Sequence, residues 1–207
     1  MKTRSAALPF LLALALVPAA ALAQGAQGDK PKPAAPPAMG GPEMEAMMKA
    51  AAPGEHHKVL QRYVGDWTYT MKMWMSPDQP AMESQGTMHA EPILGGRYVQ
   101  SVYKGDFMGH PFEGRGTDGY DNVAKQYVGS WVDNAGTGIM SSTGTCEAAC
   151  KVFNMSSDVM DPMTGKKVST KSVVTWNNDN SFRMEMFMAD PASGQSMKTM
   201  ELTAKRK

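Results

Sequence analysis

Only two cysteines, Cys146 and Cys150, occur in 207 residues, and their spacing is neither the C-x-x-C of a thiol oxidoreductase nor a zinc-type Cys/His pattern. In an oxidising compartment two cysteines this close are most simply a disulfide. Three residues, Glu147-Ala148-Ala149, separate them, so the pair is expected to face across the mouth of a hairpin loop. Such a small loop contributes about 2 kcal/mol on the chain-entropy estimate. Charge of one sign is also scarce: the net charge is +1, and the only basic cluster is Lys205-Arg206-Lys207. Phosphate binding needs clustered Lys and Arg, which excludes nucleic acid as a partner. No nucleophile elbow, H-E-x-x-H helix or Gly-rich phosphate loop occurs, so no familiar catalytic constellation is readable. Beyond residue 63 no stretch has a helical period, which leaves no crossover for a parallel sheet.

What is present begins with Lys2 and Arg4, an apolar segment from Ala6 to Val17, and Ala21-Leu22-Ala23 before Gln24. This is the layout of a secretory signal peptide over residues 1–23, cleaved near Ala23. The apolar run is too short for a membrane span, and no Cys follows it to carry a lipid anchor. Loss of Lys2 and Arg4 takes the charge from +1 to −1, and the mature protein is expected to be periplasmic or secreted. Residues 24–54 are Pro-, Ala- and Gly-rich and read as a flexible tether containing a short helix over Glu43–Ala52, broken by Pro53-Gly54. Residues 55–207 form the domain, opening on a second helical stretch, Glu55 to Tyr63.

The period then becomes two. Trp67, Tyr69, Met71, Met73 and Met75 share one face of the next segment, read as the inner one, against Thr68, Thr70, Lys72 and Trp74 on the other. Nine further short segments follow, with turn signals such as Gly95-Gly96, Asp121-Asn122, Asn134-Ala135-Gly136 and Asp161-Pro162-Met163-Thr164-Gly165 between nearly all of them. The strands expected are Glu83–Pro92, Arg97–Lys104, Phe112–Tyr120, Lys125–Asp133, Gly138–Thr145, Lys151–Val159, Lys167–Trp176, Phe182–Met188 and Met197–Lys205. Ten strands with one apolar face each predict an all-β, antiparallel up-and-down β-barrel preceded by a short helix, since closure removes exposed edges. Closure sets the first strand beside the last. Met200, Leu202, Ala204 and Arg206 form the inner face of that last strand, so Arg206 is expected to stack on Trp67 where the barrel closes.

Gly65-Asp66-Trp67, placed after a short helix at the head of the first strand, resembles the opening motif of lipocalins, which also set a late basic residue over that Trp. More specific are Ile93-Leu94-Gly95-Gly96-Arg97-Tyr98, Phe107-Met108-Gly109-His110-Pro111-Phe112-Glu113-Gly114, Gly116-Thr117-Asp118-Gly119-Tyr120-Asp121-Asn122, Trp131-Val132-Asp133, Thr137-Gly138-Ile139-Met140, Asp161-Pro162-Met163-Thr164-Gly165 and Lys198-Thr199-Met200-Glu201. In that order, from about Pro53 to Lys207, they resemble the bacterial family catalogued as domain of unknown function 1579. The resemblance implies a lipocalin-like barrel and carries no activity or catalytic residues. Haem-binding barrels of similar shape use a His on a late strand, whereas His56, His57, His89 and His110 all precede residue 111; no cofactor is expected.

Twenty methionines are the compositional oddity. Phe182, Met184, Met186 and Met188 share one face of the ninth strand, matching Met71 and Met73 on the first. Flexible thioethers fill irregular apolar volume and, in an envelope protein, also suit Cu(I). Arg97, Val99, Ser101 and Tyr103 share a face whose direction the weak alternation leaves open. Glu113, Arg115 and Asp118 lie among glycines, and Gly114, Gly116 and Gly119 read as sites of strand bending or close backbone approach. His56-His57 read as solvated. The pocket candidates are therefore Tyr69, Met71, Met73, Arg97, Tyr103, Glu113, Arg115, Asp118, Trp131, Met184, Met186 and Met188. The leading expectation is a non-enzymatic binder of a small apolar or amphiphilic molecule. Cu(I) held by methionine, an enzyme using Arg97, Glu113 and Asp118, and a purely structural role stay open beside it.

Overall fold

The computed structural model describes residues 41–76, 78–162, 164–189 and 194–207; the leader and most of the tether expected before residue 41 lie outside the described residues. Helix α1 spans Pro42–Ala51 and α2 spans Glu55–Leu60, followed by a 3-10 turn at Gln61–Tyr63. Ten strands follow: β1 (Gly65–Met73), β2 (Met82–Ile93), β3 (Tyr98–Phe107), β4 (His110–Asp121), β5 (Gln126–Asp133), β6 (Met140–Glu147), β7 (Val152–Met160), β8 (Lys167–Asn178), β9 (Ser181–Ala189) and β10 (Ser196–Arg206). Each pairs antiparallel with its sequence neighbours, and β1 pairs with β10 to close the barrel. Among the described residues no helix is long and apolar enough to cross a membrane.

Closure occurs in the expected register. Trp67 lies opposite Arg206, Tyr69 opposite Ala204, Met71 opposite Leu202 and Met73 opposite Met200. Trp67 is fully buried, and the Arg206 guanidinium sits 4.2 Å from its ring centroid. The same guanidinium donates to the carbonyls of Val64 (2.6 Å) and Arg62 (2.8 Å), and Trp67 Nε1 donates to Tyr63 O at 2.8 Å. This set of bonds fastens the helical segment across one end. Gly65 is needed there twice over: its φ is +123°, and a Cβ would lie 2.7 Å from Arg206 Nη1. Tyr63 packs edge-on against Trp176 and Phe182, which also meet Trp67, so α2 and its following turn plug the barrel with an aromatic floor.

Three expectations need correction. Met75 lies beyond β1 and is 65% exposed; the inward alternation stops at Met73 because the strand does. Cys146 and Cys150 are bonded to each other, but they do not face across a ladder. Cys146 sits on β6 opposite Phe153, while Cys150 lies in the turn, curled back by three successive left-handed residues, Ala148, Ala149 and Cys150. His57 is buried: its Nδ1 accepts from Gly54 N–H at 2.9 Å, capping α2, and desolvation lowers its pKa. His56 is exposed as expected, with its ring stacked on Tyr120 at 4.0 Å.

Candidate functional site

The interior is hollow. A cavity of about 420 Å³ runs from Leu60 and Tyr63 of the plug toward Met73, Phe107, Asp133 and Met140 near the opposite end. Side chains alternate across each strand, so the residues reaching this space were partly readable in advance. Tyr69, Met71 and Met73 of β1, Tyr103 of β3, Trp131 of β5 and Met184 and Met186 of β9 all line it. Met188 shares the inner face of β9 but is not among the lining residues.

Parity separates the charged candidates. Asp118 occupies an even position on β4 with Phe112, Gly116 and Tyr120, and it lines the cavity. Glu113 and Arg115 occupy odd positions and point outward, paired with each other at 2.7 Å, with Lys104 reaching Glu113 at 3.9 Å from β3. That pairing, with the Arg115 hydrogen bond foremost, holds the Glu113 carboxyl below its usual range. Arg97 precedes β3 in a helical conformation and is exposed, donating to the carbonyls of Ala51 (3.0 Å) and Leu94 (3.2 Å). Arg97, Glu113 and Arg115 therefore do not line the interior cavity, and the catalytic grouping of Arg97, Glu113 and Asp118 does not form. The face that Arg97 was expected to share, carrying Val99, Ser101 and Tyr103, does point inward; one residue of non-strand backbone takes Arg97 off it.

Two glycines make room for the rings. A Cβ on Gly114 would strike the Trp131 indole, and one on Gly116 would come within 3.4 Å of it. Trp131 lies flat over that strand because both positions lack side chains, and its Nε1 donates to Asp133 Oδ2 at 2.7 Å. Desolvation keeps the phenols of Tyr63 and Tyr103 protonated well above the ordinary range and pushes Tyr127 up to about 12. Asp133 and, deeper, Asp118 break this neutral lining. Burial pushes the Asp118 carboxyl from 3.8 up to about 6, with no hydrogen bond or cation opposing the shift.

Ser142, Met155, Ser157 and Ser172 of β6 to β8 also line the cavity and were not among the candidates, while Met200 and Leu202 line it from the expected inner face of β10. Strand parity could have placed the residues of β6 to β8. On β6 and β8, however, small polar residues occupy both faces, and polarity no longer marks the outer one. Three thioethers adjoin laterally across β1, β10 and β9: Met73 is opposite Met200, and Met200 opposite Met186. Met184, Met186 and Met188 run along one strand, where successive same-face residues stand roughly 7 Å apart. His56, Cys146 and Cys150 offer ligand atoms within 4.8 Å of one another, but both sulfurs are committed to the disulfide.

Residues 52–206 match the family model described as "Protein of unknown function (DUF1579)". The chain belongs to this family. No curated protein matches it. Among solved structures it is similar to Rv2717c from M. tuberculosis, at 12% identity over 75% of this chain and 99% of that one, with a TM-score of 0.56. It is also similar to the S-type phycobiliprotein lyase CPES from Guillardia theta, at 8% identity over 75% and 98%, with a TM-score of 0.50. At such identities these likenesses establish a shared barrel fold.

Proposed function

We propose that this DUF1579 protein binds a small, largely apolar molecule inside its barrel, and that it does so in the periplasm or outside the cell after removal of residues 1–23. The observation that carries the reading is the hollow interior: about 420 Å³, walled by methionines and aromatic rings, which is within the range of small-molecule sites. A scaffold would fill that space, because an unfilled apolar core forfeits dispersion contacts. The plug closes one end of this space, and among the described residues no helix covers the other.

Native mass spectrometry of protein purified from its own host, with organic extraction, tests this. A bound species displaced by Met186→Trp, which puts an indole into the cavity, is expected; an empty protein that also takes up no apolar probe would overturn the reading. Cu(I) titration of the same samples separates the metal alternative, which requires a stoichiometric site lost in Met200→Leu. N-terminal sequencing of the envelope fraction is expected to begin at Gln24.

A further inference from the structure

The cavity has a charge asymmetry that its apolar walls do not explain. Its lining includes two carboxylates, Asp118 and Asp133, and no Lys, Arg or His among the described residues. Asp133, toward the mouth, is already engaged: its oxygens accept from Trp131 Nε1 at 2.7 Å and Ala135 N–H at 3.0 Å. Asp118 lies deeper and has no such partner. The groups facing it are neutral: Tyr63 from the plug, Tyr103 from β3, and Ser142 from β6.

The register shows what lies beside Asp118. Asp118 on β4 pairs with Gly129 on β5, Gly129 with Ser142 on β6, Ser142 with Ser157 on β7, and Ser157 with Thr170 on β8. One polar row thus crosses five strands on the inner wall. At Gly129 the row lacks a side chain, and two oxygens approach that place: an added Cβ would lie 2.7 Å from Ser142 Oγ and 2.9 Å from Asp118 Oδ1. Two acceptor oxygens therefore lean over the same missing side chain. An ionised carboxylate without a cation is costly in an apolar enclosure, and a ligand that supplies the cation removes that cost.

We infer that the barrel selects amphiphiles with a protonated amine, the ammonium seated over Gly129 between Asp118 and Ser142 and the hydrocarbon lying against the methionine wall. This rests on the interior being a binding site, and it adds the ligand's head group to that reading. Anionic amphiphiles, including fatty acids, are disfavoured by the same two carboxylates.

The test titrates the full protein with decylamine, decanol and decanoate, following tryptophan fluorescence, at pH 7.5 and pH 5. At pH 7.5 decylamine should bind at least tenfold more tightly than decanol, and decanoate more weakly than both. Asp118→Asn should remove the preference for the amine while leaving decanol unchanged, whereas Asp133→Asn, at the engaged carboxylate, should keep it. Ser142→Ala, which leaves the charge in place, should reduce the preference severalfold and serves as the second variant should Asp118→Asn fold poorly. Protonation of Asp118 at pH 5 should weaken decylamine about tenfold. Equal affinities for all three probes, or an amine preference that survives Asp118→Asn, would overturn the inference while leaving apolar binding standing. Failure of all three to bind would overturn both.

Discussion

Asp118 sets a cost that the empty protein carries at neutral pH. Its carboxyl is raised from 3.8 to about 6 by burial, so the folded state holds a proton that the unfolded chain has released between those values. Stability is then greatest below about pH 4 as far as this group is concerned, and falls as pH rises through about 6. The full difference corresponds to at most about 3 kcal/mol. Asp118→Asn should flatten that fall and stabilise the ligand-free protein at pH 7.5 by about 1–3 kcal/mol. Urea titrations of both proteins at pH 4.5 and 7.5 measure this; a variant less stable than wild type at pH 7.5 contradicts it. Arg206 works in the opposite sense, since its guanidinium satisfies the carbonyls of Val64 and Arg62 while covering Trp67. Arg206→Lys keeps the charge but loses the fork, and should cost about 1–3 kcal/mol because a carbonyl is left unpaired.

Among the elements, β4 and the β6–β7 turn show which features were legible and which were not. The glycines of β4 could be read as places of close approach, but not what approached them, since the partner, Trp131, comes from the neighbouring strand. That partner makes a paired prediction. Gly114→Ala forces the indole aside and should cost about 1–3 kcal/mol as overpacking, while Gly116→Ala, at 3.4 Å from the same ring, should cost well under half as much; equal losses on thermal unfolding would refute the account. Strand order and closure were legible because period two and turn residues act locally, and β1–β10 pairing follows once every other edge is used. The outward parity of Glu113 and Arg115 was hidden by a strand with glycines on both faces. The cysteine turn was misread as a simple hairpin mouth because nothing in Ala148-Ala149-Cys150 signals left-handed backbone, a conformation that costs non-glycine residues roughly 1–2 kcal/mol each. Ala149→Gly should therefore raise the melting temperature by about 2–4 °C for each 1 kcal/mol released, with the disulfide intact by mass.

At the scale of the whole molecule, the barrel is a cup whose floor and approach are built differently. The floor is α2 with its following turn: Leu60 is 3% exposed and borders the cavity, and Tyr63 packs on Trp176 and Phe182. Helix α1 has no buried residue. It is held through backbone carbonyls: Asn122 donates to those of Ala50 and Ala52, and Arg97 to that of Ala51. Exposed contacts of this kind contribute little, so a chain beginning at Pro53 should keep its stability within about 1 kcal/mol. Leu60→Ala should behave differently, removing packed volume from the floor at a cost of about 2–4 kcal/mol, or a fall of roughly 5–15 °C in melting temperature. Calorimetry of the two proteins decides between a floor made by α2 alone and one shared with α1. If the shorter chain melts as low as Leu60→Ala, α1 is part of the floor and the cavity is closed by more than the aromatic plug.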